Sequence, residues 1–231
     1  MDFTPPLSKR LERIVSLIDP GTECLADIGT DHGMVPVYAV KRGLCSRAVA
    51  SDLRSGPLKR ASLNISLSGL RDKIDVVCAP GMQGITVPAD CVIIAGMGGM
   101  LINDILREGI SEGKIFPDQI FILSAHTQEH KLRTFLAENG FRTVLECAEE
   151  EEGHIYLIIK CIFDGISREI TPEDAYCGYV SVLPPSYYEN VRKRLSIRTA
   201  GLCSASELSE EEQKELVILE KAVRRLAGLG G

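Results

Sequence analysis

The chain has 231 residues, 45% hydrophobic and 25% charged, enough for one α/β domain with a sizeable core and a smaller appendage. A net charge of -6, 5% aromatic residues and no Trp exclude a surface that is basic throughout and a protein that works mainly by stacking bases on aromatic rings. No apolar stretch approaches the roughly 20 residues that cross a bilayer, and the eight cysteines include no C-x-x-C pair, which is cytoplasmic usage rather than a disulfide framework.

Residues 1–19 read as an amphipathic helix and not a signal peptide, because Leu7, Leu11, Ile14, Val15 and Ile18 fall at helical spacing with charges between them. From residue 23 to 163, short apolar runs alternate with amphipathic stretches. The runs predict strands over 24–28, 48–51, 74–78, 91–95, 120–123, 143–147 and 155–161, with helices near 36–42, 57–68, 101–108 and 128–139. Such alternation predicts a parallel sheet covered on both faces. The last two strands meet across the polar run 149–153, which implies an antiparallel hairpin. Cys78, Cys91 and Cys161 sit inside apolar runs, where a free thiol packs as a small hydrophobe.

Composition changes after about residue 166. Thr171-Pro172-Glu173 has the form of a helix start. Tyr188, Val191, Leu195 and Leu202 keep a three-four spacing, and Ser209 with Glu212 forms a capping-box pattern before Leu216, Leu219, Val223 and Leu226. Two such stripes give an antiparallel helical hairpin or two helices packed separately on the main domain; both readings stand at this level. The division expected is 1–165 for the α/β domain and 166–231 for the helical appendage. Two basic clusters, Arg54 with Lys59 and Arg60, and Arg192, Lys193, Arg194 with Arg198, are solvated helix faces or phosphate contacts.

The strongest local signal is Ala26-Asp27-Ile28-Gly29-Thr30-Asp31-His32-Gly33, where the first strand gives way to a helix. Ligands of open α/β sheets bind at this edge. Asp31 stands where a dinucleotide fingerprint has its second glycine, and a carboxylate there repels a pyrophosphate on the helix N-terminus. A cationic, phosphate-free ligand suits it better. S-adenosylmethionine carries a sulfonium and an ammonium and no phosphate, and Asp27 can accept from the ammonium directly or through water. This counts against a nucleotide-dependent oxidoreductase. Asp52, at the end of the second strand, is placed to accept from ribose hydroxyls or to cap the helix that follows; the two roles can coexist. Ala95-Gly96-Met97-Gly98-Gly99 follows the fourth strand, and its glycines let backbone groups reach a bound base. His126 and His130 are four apart, a spacing seen in metal ligands, but no third ligand lies near in sequence and no metal is expected.

Taken with Ala50-Ser51-Asp52, Gly56-Pro57-Leu58, Asn64 and Met100-Leu101-Ile102, these motifs resemble, in order and spacing over roughly the first 160 residues, the TrmK family of bacterial tRNA (adenine-N1)-methyltransferases. The resemblance implies a Rossmann-like class I methyltransferase fold, a seven-stranded sheet with a C-terminal helical hairpin. It implies methyl transfer from S-adenosylmethionine to nitrogen 1 of an adenine in tRNA. The implied cofactor contacts are Asp27, Gly29, Thr30 and Asp31, then Asp52 and Leu53, then Gly81 and Met82, then Gly96, Met97 and Gly98. Asp31 or His32 is the candidate to take up the charge or proton of the methylated base. The partner implied is tRNA, with no membrane, and the protein is a monomer or weak dimer. Three positions depart from the family pattern: Met34 stands for a Tyr, Pro80 for an Asp, and Ser124-Ala125-His126 for Gln-Pro-Asn. They motivate the alternative of a donor-binding paralogue with another substrate or without tRNA methylation activity.

Overall fold

The computed structural model describes residues 4–178 and 183–229. Its centre is a seven-stranded sheet in the order β3-β2-β1-β4-β5-β7-β6. The strands are β1 (Thr22–Ile28), β2 (Cys45–Asp52), β3 (Ile74–Cys78), β4 (Cys91–Met97), β5 (Ile120–Ala125), β6 (Phe141–Glu151) and β7 (His154–Phe163). The first five run parallel, and β7 is antiparallel to both β5 and β6. β1, β4 and β5 lie in the middle and are buried on both faces, which is why they read as continuous apolar runs. Outward order from β1 reverses between β1 and β4, and that switch point sets the ligand crevice. The predicted hairpin is present: Glu151 pairs with His154, and Glu152 and Gly153 both have positive φ, the primed turn that matches strand twist.

Helices α1 (Lys9–Val15), α2 (Met34–Lys41), α3 (Ser55–Leu67), α4 (Gly99–Ser111) and α5 (Glu129–Glu138) cover the sheet, with a 3-10 turn at Gly81–Gly84 that the pattern did not signal. The expected helix over 1–19 is shorter. Ser8 caps it, accepting from the Leu11 N–H, and it stops at Val15; Ile14, Val15, Leu17 and Ile18 still pack inward. Pro5 and Pro6 lie outside the helix, and residues 1–3 are outside the described residues. Cys78 is exposed rather than packed, because β3 is an edge strand with one buried position.

The appendage holds α6 (Pro172–Cys177), α7 (Pro185–Cys203) and α8 (Glu210–Leu229). Thr171 and Ser209 act as the predicted caps. α7 and α8 pair as a hairpin, and both sequence readings hold in part: Tyr187, Val191, Leu195, Leu219, Ala222 and Leu226 belong to the same apolar core as Phe121, Leu132 and Phe141 of the sheet domain. The junction is pinned by Arg133 of α5. Its guanidinium is buried and donates to both carboxylate oxygens of Glu146 on β6, to the Ala175 carbonyl of α6 and to the Tyr187 hydroxyl of α7. One charged side chain thus satisfies three elements.

Candidate functional site

The β1–α2 turn is fixed by backbone hydrogen bonds to its neighbours. The Gly29 and Thr30 N–H groups both donate to the Ser51 carbonyl at 2.8 Å, so the start of the turn is tied to the end of β2. His32 and Gly33 both have positive φ, and Asn64 of α3 donates to the His32 carbonyl at 2.9 Å, fixing the turn. A Cβ at Gly33 would lie 3.1 Å from the Ala61 Cβ, so glycine is needed for close helix contact as well as for φ. After β4 the chain bulges between Ala95 and Met97, and Gly96 has φ +79°. The Gly99 N–H donates to the Thr127 carbonyl, and a Cβ there would lie 2.7 Å from the Gln128 carbonyl oxygen. Gly99 therefore serves backbone packing, while Gly96 opens to the crevice.

Two cavities meet over Gly29, Ala95 and Gly96. The larger, about 610 Å³, is lined by Asp52, Leu53, Pro80, Gly81, Met97, Gly98 and one face of α4 that carries Leu101, Asp104, Ile105 and Glu108. The smaller, about 340 Å³, is lined by Arg10, Asp27, Thr30, Asp31, Val35 and His126. Arg54 borders both. Asp52 is buried, and its Oδ1 accepts from the Arg54 N–H at 2.6 Å and from Arg54 Nε at 3.3 Å. It thus braces the turn into α3 while facing the cavity. Asp27 is buried and forms no ion pair among the described residues. Burial pushes its carboxyl up to about 6; the Thr30 hydroxyl beside it acts in the opposite direction, and the charges of Asp31 and Asp52 add to the rise. Thr30 Oγ1 is buried and is the one side-chain group that offsets the rise.

The site is thus an acidic crevice with a buried carboxylate at its base that has no ion-pair partner among the described residues. A buried carboxylate without a cation is costly, and an entering cation relieves it. The larger cavity is apolar around Leu53, which is 68% exposed, and Leu101, which is 52% exposed, with a carboxylate at its inner edge. That is the chemistry of an aromatic base and a ribose, followed by a cationic tail toward Asp27.

A family model described as a methyltransferase domain matches residues 7–159. The tRNA (adenine(22)-N(1))-methyltransferase of Bacillus subtilis is 34% identical over 169 residues, which cover 70% of each chain. The chain belongs to the TrmK-type tRNA (adenine-N1)-methyltransferase family. The crystal structure of the B. subtilis TrmK superposes on this methyltransferase with a TM-score of 0.79 at 27% identity, covering 98% of this chain and 99% of that one. Streptococcus pneumoniae Sp1610, solved in complex with S-adenosyl-L-methionine, gives 0.80 at 28% identity over 98% and 100% of the two chains.

In the methyltransferase, Asp27, Gly29, Thr30, Asp31, Asp52, Leu53, Gly81, Gly96, Met97 and Gly98 all line the joined cavities. Met82 does not. Its side chain is fully buried in the core beneath α4, where a Cβ on Gly109 would meet its Cγ at 2.7 Å. His32 also lies outside both cavities: its Nε2 is 3.0 Å from Arg60 Nη1 and 3.4 Å from Asp31 Oδ1, and its carbonyl holds Asn64. Of the two candidates for charge uptake, only Asp31 faces the crevice. Met34 begins α2 away from the lining, whereas Pro80 and His126 are part of it. His126 and His130 do not converge: His126 meets the Tyr156 ring edge-on at 5.1 Å, and His130 stacks on Tyr176 at 4.3 Å behind α5.

The basic cluster on α7 is partly neutralised. Arg194 pairs with Glu129 at 3.1 Å and Arg198 with Glu215 at 2.8 Å, leaving Arg192 and Lys193 exposed without an ion pair among the described residues. Sequence reasoning missed Arg10, Asp104 and Glu108, and it named Arg54 only in a basic cluster and Leu101 only in a motif, not as cavity residues. Leu101, Asp104 and Glu108 were recoverable: with Ile105 they fall at a three-four spacing on one face of α4, the helix that follows the glycine loop.

Proposed function

We propose that this chain transfers a methyl group from S-adenosylmethionine to nitrogen 1 of adenine 22 in tRNA. The observation that carries the reading is Asp27, a buried carboxylate without a cation, set across Gly29 from Asp52 in an acidic crevice. Bound S-adenosylmethionine supplies an electrophilic methyl group on a sulfonium. Asp52 accepts from the ribose hydroxyls, and Leu53, Pro80 and Leu101 enclose the donor's base. Asp27 receives the ammonium, and its carboxyl is ionised above about pH 6 even before the cation lowers it. Gly96 adds no side chain of its own at the bulge, so an incoming base can approach in line between Met97 and His126. Adenine N1 is unprotonated at neutral pH, so the chain needs no base to activate it. Asp31, exposed at the rim, offers its negative charge to the cationic product base.

Lys59, Arg60 and Arg54 at the start of α3, and Arg192 and Lys193 on α7, are exposed and suit backbone phosphates. No helix among the described residues is long and apolar enough to cross a membrane. A tRNA substrate supports a cytoplasmic enzyme. The test is transfer of label from methyl-labelled donor into unmodified tRNA and into the same tRNA with guanine at position 22. Label in the first and background in the second are expected; equal label, or none in either, overturns the proposal.

A further inference from the structure

With Asp52 of β2 and Asp27 of β1 holding the donor, one half of the sheet's carboxyl edge is occupied, and the base that receives the methyl group enters over the other half, past β4 and β5. The first residue beyond β5 is His126. Its backbone N–H donates to the Met97 carbonyl at 2.8 Å, which ties it to the glycine loop. Its side chain borders the smaller cavity, and Nε2 lies 3.9 Å from the position that a Cβ on Gly96 would take. The ring meets Tyr156 of β7 edge-on at 5.1 Å, and Tyr156 in turn carries the Arg10 guanidinium 5.0 Å over its face. The imidazole is thus oriented by packing, while the residue itself is exposed at the mouth of the crevice.

We propose that His126 reads the target adenine, with Nε2 accepting a hydrogen bond from the exocyclic N6 amine while N1 attacks the methyl group. This role rests on the reading of the crevice as a methyl-transfer site and deepens it. The N1 lone pair forms the bond to the methyl carbon, the carbon–sulfur bond breaks, and its electrons stay on sulfur. The products are S-adenosylhomocysteine and an N1-methyladenine cation whose charge is shared between N1 and N6. His126 neither gives nor takes a proton. An acceptor at N6 binds more strongly as that charge develops, so the contact acts on the rate of transfer and not only on binding. The other groups around the cavity do not supply such an acceptor on this side: Arg10 and Arg54 have no lone pair to offer, Val35 and Ala95 are apolar, and Asp27 and Asp31 belong to the β1 side. Desolvation, with the charges of Arg10 and His154, holds the His126 imidazole below its ordinary value, so the ring is neutral at neutral pH and keeps one nitrogen lone pair.

The competing role for His126 is to pack on Tyr156 and shape the loop. Single-turnover methyl transfer by the full chain separates the two. The substrates are the same tRNA assembled with adenosine or with purine riboside at the target position; purine riboside lacks only the N6 amine. Its N1 is a weaker nucleophile with any enzyme, so the quantity read is the rate ratio, adenosine over purine riboside, compared between proteins. In His126→Phe, which keeps a ring on Tyr156, that ratio is expected to fall about 10-fold, and in His126→Gln, whose carbonyl can accept from N6, it stays within about 3-fold of the natural chain. Donor affinity in calorimetry stays within about 2-fold in both variants, which shows the fold and the donor site intact. Equal slowing of both substrates in His126→Phe, or a ratio that does not move, overturns the proposal. A ratio that falls in Asp31→Asn and not in His126→Phe assigns N6 to Asp31 and overturns it as well. Donor binding without transfer to the adenosine tRNA by the natural chain overturns the methyl-transfer reading itself, and the role of His126 with it.

Discussion

Asp27→Asn should make the ligand-free protein more stable while destroying donor binding. The Asp27 carboxyl titrates near 6 in the folded chain against 3.8 for an ordinary aspartate, because it is buried. Ionising it in the fold therefore costs about 3 kcal/mol relative to the unfolded chain. The sign follows from the raised value. The contribution favouring the fold is fully present below about pH 3.8 and is lost as pH rises through about 6. At pH 8 the natural chain carries the whole penalty, and Asn, with the same shape and no charge, carries none. Water entering the open crevice screens part of it, so a gain of roughly 1–3 kcal/mol is expected, equivalent to about 2–10 °C in Tm for a chain of this size. The assay is thermal unfolding of both proteins between pH 4.5 and 8, without ligand and with excess S-adenosylmethionine. The gap should widen with rising pH without ligand. Added donor should raise Tm only in the natural chain. An Asn variant that is less stable at pH 8, or a gap independent of pH, would refute the claim that this carboxylate is buried without a compensating cation.

Arg133→Ala leaves Glu146 buried and unpaired at the junction with α6 and α7, and should cost about 3–5 kcal/mol in denaturant unfolding; replacing both partners with apolar residues should recover much of that. Gly99→Ala forces a Cβ to within 2.7 Å of the Gln128 carbonyl, so α4 must shift; a loss of about 1–3 kcal/mol in stability is expected together with reduced transfer. Charge reversal of Arg192 and Lys193 to Glu should weaken tRNA binding and flatten its dependence on salt in a filter assay, with donor affinity unchanged in calorimetry. Reversing Arg198 should have a smaller effect on tRNA binding, since Glu215 already neutralises it.

The sheet was legible because its central strands are buried on both faces and so lack any polar alternation. The glycine turns were legible because positive φ at Gly29, Gly33 and Gly96 leaves a residue-type signature. Asp27 and Asp52 stood out because carboxylates at the ends of apolar runs need a reason to be there. What the sequence hides are contacts between distant segments. Arg10 belongs to a seven-residue helix, and its neighbour Glu151 lies 141 residues on. The neutralisation of Arg194 by Glu129 spans 65 residues, so the α7 cluster reads as four free charges when two are spent. Met82 and Gly81 are adjacent, yet only Gly81 reaches the cavity, because the 3-10 turn between them and Gly84 rotates the Met side chain under α4. Local pattern gives the address of a loop; it does not say which of two neighbours faces outward.

The most direct test is a crystal structure of the chain grown with S-adenosylmethionine. The ribose hydroxyls are expected on Asp52, the ammonium at Asp27 and the methyl group facing Gly96. A donor bound elsewhere, or one whose amino-acid end points away from Asp27, would contradict it.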